Sequence, residues 1–326
     1  MIEFATPDNI IERYEGNPIL SAEDIPYHST LVFNAGVTKF NGKYVMMFRN
    51  DYGNEDRLQL EGTNLGLAFS DNGIDWRVQP NPCLDLHDDD IICVNDPRLT
   101  VIDGKVFVTV AAITLHGVRG AILVTDDFDQ FETLSISVPD NRNMVLFPQK
   151  FNDKYLRLER PFSWYKGGDE RFDIWISDSP DLNYWGNSRL FLSTAEVPYA
   201  NNRIGAGPPP VKTSKGWLLI FHAVYRYIDR VFNGWEGNWN KQYMAGVMLL
   251  DLHDPSKILG YSKEPLLVPE KKYDYEVNGF RGNVVFPGGL ILEDSGEVKI
   301  YYGAADTVEA LAITHIDDLI NFCSVF

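Results

Sequence analysis

Cysteine is scarce in this chain of 326 residues, with Cys83, Cys93 and Cys323 its only members. Three scattered thiols make no disulfide framework, and their spacing matches no metal site. Long apolar runs are missing too, so no segment reaches membrane-spanning length. Positive charge is in deficit. Twenty-nine Lys and Arg face 46 Asp and Glu, giving a net charge of −17 and a pI near 4.7. That average field repels a phosphate backbone and argues against nucleic acid as a partner. Any anion must be held by a local basic cluster working against the overall charge. Residues 1–6 lack the basic-then-apolar order of a signal peptide. These absences lead us to expect a cytoplasmic protein with free thiols, away from membranes. Long helical patterns are also rare. The best candidates are short, near residues 7–10 and 317–320.

What is present is aromatic and repetitive. Hydrophobic residues make up 44% and aromatics 13%, an excess that suits a β-rich core or a carbohydrate cleft. A unit of strand, tight turn and strand recurs at residues 36–48, 98–110, 147–158, 210–221 and 288–300. Its turns include Asn41-Gly42 and Asp103-Gly104, pairs that tolerate positive φ and signal hairpins. A further strand and a polar turn ending in an aromatic follow several copies, as in Ser70-Asp71-Asn72-Gly73-Ile74-Asp75-Trp76. Such turns place an Asp carboxylate on free backbone N–H groups and tuck the aromatic under the sheet. Five units predict an all-β, five-bladed β-propeller; the bland alternative is a β-sandwich. No linker divides the chain, so residues 1–326 read as one domain. The stretch at about 226–242, rich in Trp, Asn and Gly, reads as an insertion between blades four and five and a lid over the site.

In a propeller the polar residues just ahead of each hairpin converge on one mouth of the channel. Here they are Asn34, Asp96, Arg142 with Asn143, Arg203, and Arg281 with Asn283. Outer edges of blades are expected to add Arg49, Arg160 and Asp306. Asp96 precedes Pro97, which biases it to an extended conformation; its bland role is to cap a turn. Each arginine alone reads as a surface charge. Several guanidiniums around one mouth would repel one another unless an anion sits between them, and their forked N–H groups suit phosphate oxygens. The run Ile204-Gly205-Ala206-Gly207-Pro208-Pro209-Pro210 reads as a rigid wall beside Arg203. His222, on a blade-four strand, reads either as a structural group or as a contact to sugar.

Together these runs resemble glycoside hydrolase family 130, the mannoside phosphorylases. The matching stretches are Val32-Phe33-Asn34-Ala35-Gly36, Asp96-Pro97-Arg98, Arg142-Asn143, Arg157-Leu158-Glu159-Arg160-Pro161, residues 205–210 and Val285-Phe286-Pro287-Gly288-Gly289. The resemblance implies a five-bladed propeller. It implies Asp96 as general acid, its proton reaching the glycosidic oxygen through the mannose 3-hydroxyl. It implies Arg142, Asn143, Arg160 and Arg203 as the phosphate site, with Arg203 standing where relatives often have Lys. Asn34, Arg49, Arg57, Arg98, His222 and Asp306 are the expected substrate-binding residues. The implied activity is inverting phosphorolysis of a β-1,4-mannoside, mannosyl-N-acetylglucosamine or a mannooligosaccharide, to α-mannose 1-phosphate. It needs inorganic phosphate as co-substrate, no cofactor and no metal, and family members are often homo-oligomers. An inverting β-mannosidase and a non-catalytic carbohydrate-binding propeller stay open as alternatives.

Overall fold

The computed structural model describes residues 3–54, 59–162, 171–232, 234–235, 237–275 and 280–325. Five antiparallel sheets form the blades of a β-propeller. Blade one comprises Leu31–Phe40, Lys43–Asn54, Gln59–Ser70 and Arg77–Val78. Blade two follows with Ile91–Ile102, Lys105–Thr114, Gly117–Thr125 and Glu132–Ile136. Asn141–Leu146, Tyr155–Pro161, Ile174–Ser179 and Gly186–Leu192 form blade three. In blade four the innermost strand is split into Arg203–Ala206 and Val211–Lys212, because Pro208, Pro209 and Pro210 cannot donate to the ladder. Trp217–Arg226, Lys241–Leu250 and Ile258–Tyr261 complete it, and Ser324–Val325 adds an edge. Val285–Leu292, Glu297–Ala304 and Val308–His315 form blade five. Its outer strand is Ile11–Arg13, from the opposite end of the chain, so the ring is closed by β-pairing of the two ends.

Apolar alternation places the core between neighbouring blades rather than at the axis. Separate clusters fill the junctions of blades one and two, two and three, three and four, four and five, and five and one. The axis is lined by the innermost strands, with Val37, Leu99, Val211 and Leu290 around a cavity at one end.

The polar turns recur as anticipated, with one substitution. Asp127 and Asp181 each accept two backbone N–H groups from the residues two and three places on. Asp251 repeats this in blade four. In blade one Asn72 takes that task, and Asp71 instead pairs with Lys43 and Arg77. Two further expectations are corrected, and one element is new. Residues 8–10 form a turn leading into a strand, whereas Ile316–Phe322 is helical as expected. A short helix at Lys272–Tyr275 carried no sequence signal. The insertion lies inside blade four, joining its second and third strands, because Arg226 and Lys241 face each other across a continuous ladder.

Candidate active site

The innermost strands of blades one, two and three share one irregularity. Their pairing slips between Phe33 and Gly36, between Asn95 and Arg98, and between Arg142 and Val145. At each slip one residue adopts positive φ: Asn34 at 56°, Asp96 at 53° and Asn143 at 53°. A bulge of this kind re-aims a side chain out of the strand's alternation, and Asn and Asp tolerate the left-handed region. The bulge overrides the extended bias that Pro97 imposes on Asp96. Three blades thus turn a polar side chain toward the same mouth.

Those three side chains line a cavity of about 170 Å³ with Arg49, Arg142, Arg160, Arg203, Arg281, Asp306, Tyr243, Val284 and Phe286. Arg49 and Arg160 are not at blade edges. They lie on second strands, opposite Phe33 and Arg142. In an antiparallel pair the end of the second strand adjoins the start of the first, so both contribute to one rim. Asp306 sits in the turn after the second strand of blade five.

Asp96 is the centre of the polar network. Its Oδ1 accepts from Asn34 Nδ2 at 2.9 Å, and its Oδ2 accepts from Arg142 at 2.7 Å. Arg49 lies 3.6 Å from it and is itself held bidentately by Asp51. Burial pushes the Asp96 carboxyl up, but Arg142, Arg49, Arg98 and the Asn34 hydrogen bond outweigh it and hold it at about 2. Burial, outweighing Arg281 and Arg49, pushes Asp306 the other way, to about 6. Arg281 stands 3.6 Å from Asp306.

The opposite flank is cationic. Arg160 donates to His222 Nε2 at 2.9 Å, and Arg203 donates to the Asn202 side-chain oxygen at 2.8 Å. Both guanidiniums lie over the Phe172 ring. Burial and the neighbouring Arg203 and Arg142 charges push Arg160 well below the ordinary arginine range. Buried Arg142 Nε, Arg160 Nε and Asn143 Oδ1 have no hydrogen-bond partner. Clustered like charges, with the Arg142 and Arg160 Nε donors unused, are what a multiply charged oxyanion would satisfy.

Two expected sugar contacts do not line the cavity. Arg98 is buried beneath it, donating to the backbone oxygens of Gly207, Asn34 and Pro97 at 2.9, 3.2 and 2.7 Å. It ties blades one, two and four together at the axis. His222 is also buried, behind Arg160, with its ring 4.7 Å from that of Phe286. Because Arg160 donates to Nε2, the imidazole is neutral, and burial with the surrounding arginines pushes its pKa well down. Arg57 falls outside the described residues. The sequence reading missed Tyr243, Phe286 and Phe172, whose roles depend on which face of a strand or loop turns to the channel. Part of the insertion is packed down: Trp235 N–H donates to the Phe280 carbonyl and Trp239 Nε1 to that of Gly282. It thereby braces Arg281, whose guanidinium lies over Trp239 and Phe280.

Comparison with known proteins agrees with this architecture. A β-1,2-mannobiose phosphorylase of Listeria innocua is 30% identical over 95% of this chain and 98% of its own. A β-1,4-mannooligosaccharide phosphorylase of Ruminococcus albus is 33% identical, covering 96% and 91%. The solved structure of the Listeria innocua β-1,2-mannobiose phosphorylase with β-1,2-mannobiose superposes with a TM-score of 0.81 at 28% identity, over 96% and 98% of the two chains. Residues 7–325 match the family described as beta-1,4-mannooligosaccharide phosphorylase, and the chain belongs to that family, glycoside hydrolase family 130.

Proposed function

We propose that this protein is an inverting phosphorylase of β-mannosides, with β-1,4-linked mannosyl-N-acetylglucosamine or mannooligosaccharides as substrates. The observation that carries the reading is one buried carboxyl, Asp96, sharing a cavity with the Arg142, Arg160 and Arg203 cluster. A phosphate oxygen attacks the anomeric carbon as the glycosidic bond breaks. The leaving oxygen takes the Asp96 proton, relayed through the mannose 3-hydroxyl. The products are α-mannose 1-phosphate and a sugar one unit shorter.

Phosphate is already an anion and needs no general base. It needs orientation in a site screened from water, which guanidinium forks supply. An inverting hydrolase would need a second carboxylate across the sugar from the acid. Asp306, the other carboxyl in the cavity, shares the influence of Arg49 with Asp96, which fits a place beside it. Asn34, Arg49 and Asp306 would hold mannosyl hydroxyls.

Asp96 at about 2 is ionised at neutral pH. Phosphate bound by Arg142 and its neighbours would offset the charge that depresses it. Sugar binding would remove water from the carboxyl. Both changes favour the protonated acid that the step requires. A β-1,2 linkage is the second reading, favoured by the similarity to the Listeria innocua enzyme. Incubation with phosphate and either β-1,4- or β-1,2-mannobiose tests the choice. Mannose 1-phosphate formed at least about tenfold faster from the β-1,4 sugar, about 1.4 kcal/mol of transition-state preference, supports the first reading. The reverse order overturns it. A reducing compartment such as the cytoplasm suits the three free cysteines.

A further inference from the structure

Glu309 lies in the third strand of blade five, fully buried. The reaction proposed above gives it no part. Its Oε2 accepts the Ala35 amide N–H at 3.1 Å, and the adjacent Asn34 backbone amide also favours the ionised form of the same carboxyl. Its Oε1 has no partner. In a regular strand successive N–H groups point to opposite sides. Where one residue turns left-handed, neighbouring N–H groups converge and a single acceptor can take both. Asn34, at φ 56°, is that residue.

The bulge presents the Asn34 side chain to Asp96. Its backbone oxygen is bound from below by Arg98. Across blade five, Gly303 leaves room for it. A methyl group there would sit 2.2 Å from Asn34 Oδ1 and 2.8 Å from Asn34 N. The Asn34 carboxamide is therefore located from three sides, and Glu309 supplies the only acidic contact to its backbone among the described residues. A carboxyl buried with an unused oxygen is costly, and pairing between blades five and one does not require it.

We propose that Glu309 is a positioning residue for the sugar-binding half of the site: its carboxyl clamps the blade-one bulge so that Asn34 meets Asp96 and the mannosyl ring. The inference rests on the phosphorylase reading for its kinetic consequences, but not for its structural one. Asn143, Arg160 and Arg203 belong to blades three and four, beyond the reach of this clamp.

The test compares Glu309→Gln, Glu309→Asp and Glu309→Leu. Gln keeps an acceptor at the same reach, Asp withdraws it by one methylene, and Leu removes it. A misplacement near 1 Å costs up to about 100-fold in rate. The expected result is a loss of about 10- to 100-fold in kcat/KM for mannoside in Asp and Leu. The phosphate KM stays within about twofold, and Gln restores most of the activity. Crystal structures of the variants should show Asn34 leaving the left-handed region in Asp and Leu and keeping it in Gln. If Leu does not fold, Asp and Gln carry the comparison. An unchanged Asn34 in Glu309→Asp, or equal losses for mannoside and phosphate, overturns the proposal. A wild-type protein that turns over no mannoside with phosphate would instead defeat the functional reading, and the Asn34 geometry would still judge the clamp.

Discussion

In the proposed reaction the chemistry turns on how one carboxyl is treated at the level of single residues. Asp96 keeps its partners in Asn34, Arg142 and Arg49, and those partners favour its ionised form. Asp96→Asn keeps one of the two acceptor oxygens and has no acidic proton to give. We expect kcat to fall by about 10²–10⁴, the range for a lost general acid, with mannoside binding preserved in titration calorimetry. Asp306 makes the opposite case. Its folded pKa of about 6 exceeds the ordinary 3.8, so the folded state prefers the protonated form. Its stabilising contribution is complete below pH 3.8 and is lost as pH rises through about 6. Above that, ionised Asp306 costs about 3 kcal/mol, set by burial and by Asp96 and Asp51, and moderated by Arg281 and Arg49. Asp306→Asn should therefore melt higher than wild type at pH 8 and nearly level with it at pH 4, while losing turnover. A melting difference that does not grow with pH would refute this account.

Elements decide which residues meet. The shared bulge explains why Asn34, Asp96 and Asn143 line one cavity although about fifty or more residues separate them in sequence. Their position ahead of each hairpin was legible from the repeat. The bulge itself was not, because a slip of pairing is a relation between two strands that one strand does not encode. Arg98 misled for the same reason: its run reads like a site motif, yet the slip between Asn95 and Arg98 breaks the alternation that would set it beside Asp96 and turns it under the floor. His222 was legible as polar in a strand, but its partner Arg160 comes from another blade. Gly205 faces His222 across the blade-four pair, and a Cβ there would meet the ring at 2.3 Å. Gly205→Ala should displace His222 and loosen Arg160. We expect the phosphate KM to rise about tenfold or more, equivalent to about 1.4 kcal/mol, with little change for mannoside. Equal changes for both substrates would place the effect in general packing.

At the scale of the whole molecule, the propeller is a ring of blade-to-blade cores closed by Ile11–Arg13 on blade five. Repetition of hairpin turns made the five blades readable, whereas the ring closure was not, since Ile11–Arg13 has only three residues and no hairpin of its own. Arg13 reinforces the closure through a buried pair with Asp274 at 2.8 Å and a bond to the Tyr302 hydroxyl at 3.0 Å. Arg13→Met should leave Asp274 buried and unpaired and cost about 3–5 kcal/mol, read as a lower midpoint in denaturant with unchanged substrate preference. Unaltered stability would mean the ring does not depend on that pair. The net charge of −17 sets the wider frame, because the arginine cluster proposed to bind phosphate must work against it. The most direct test follows the phosphorus by NMR while the protein acts on β-1,4-mannobiose with and without inorganic phosphate. The account predicts α-mannose 1-phosphate and mannose in equal amounts with phosphate, and no cleavage without it. Free mannose released at the same rate in both samples, with no sugar phosphate, would contradict it.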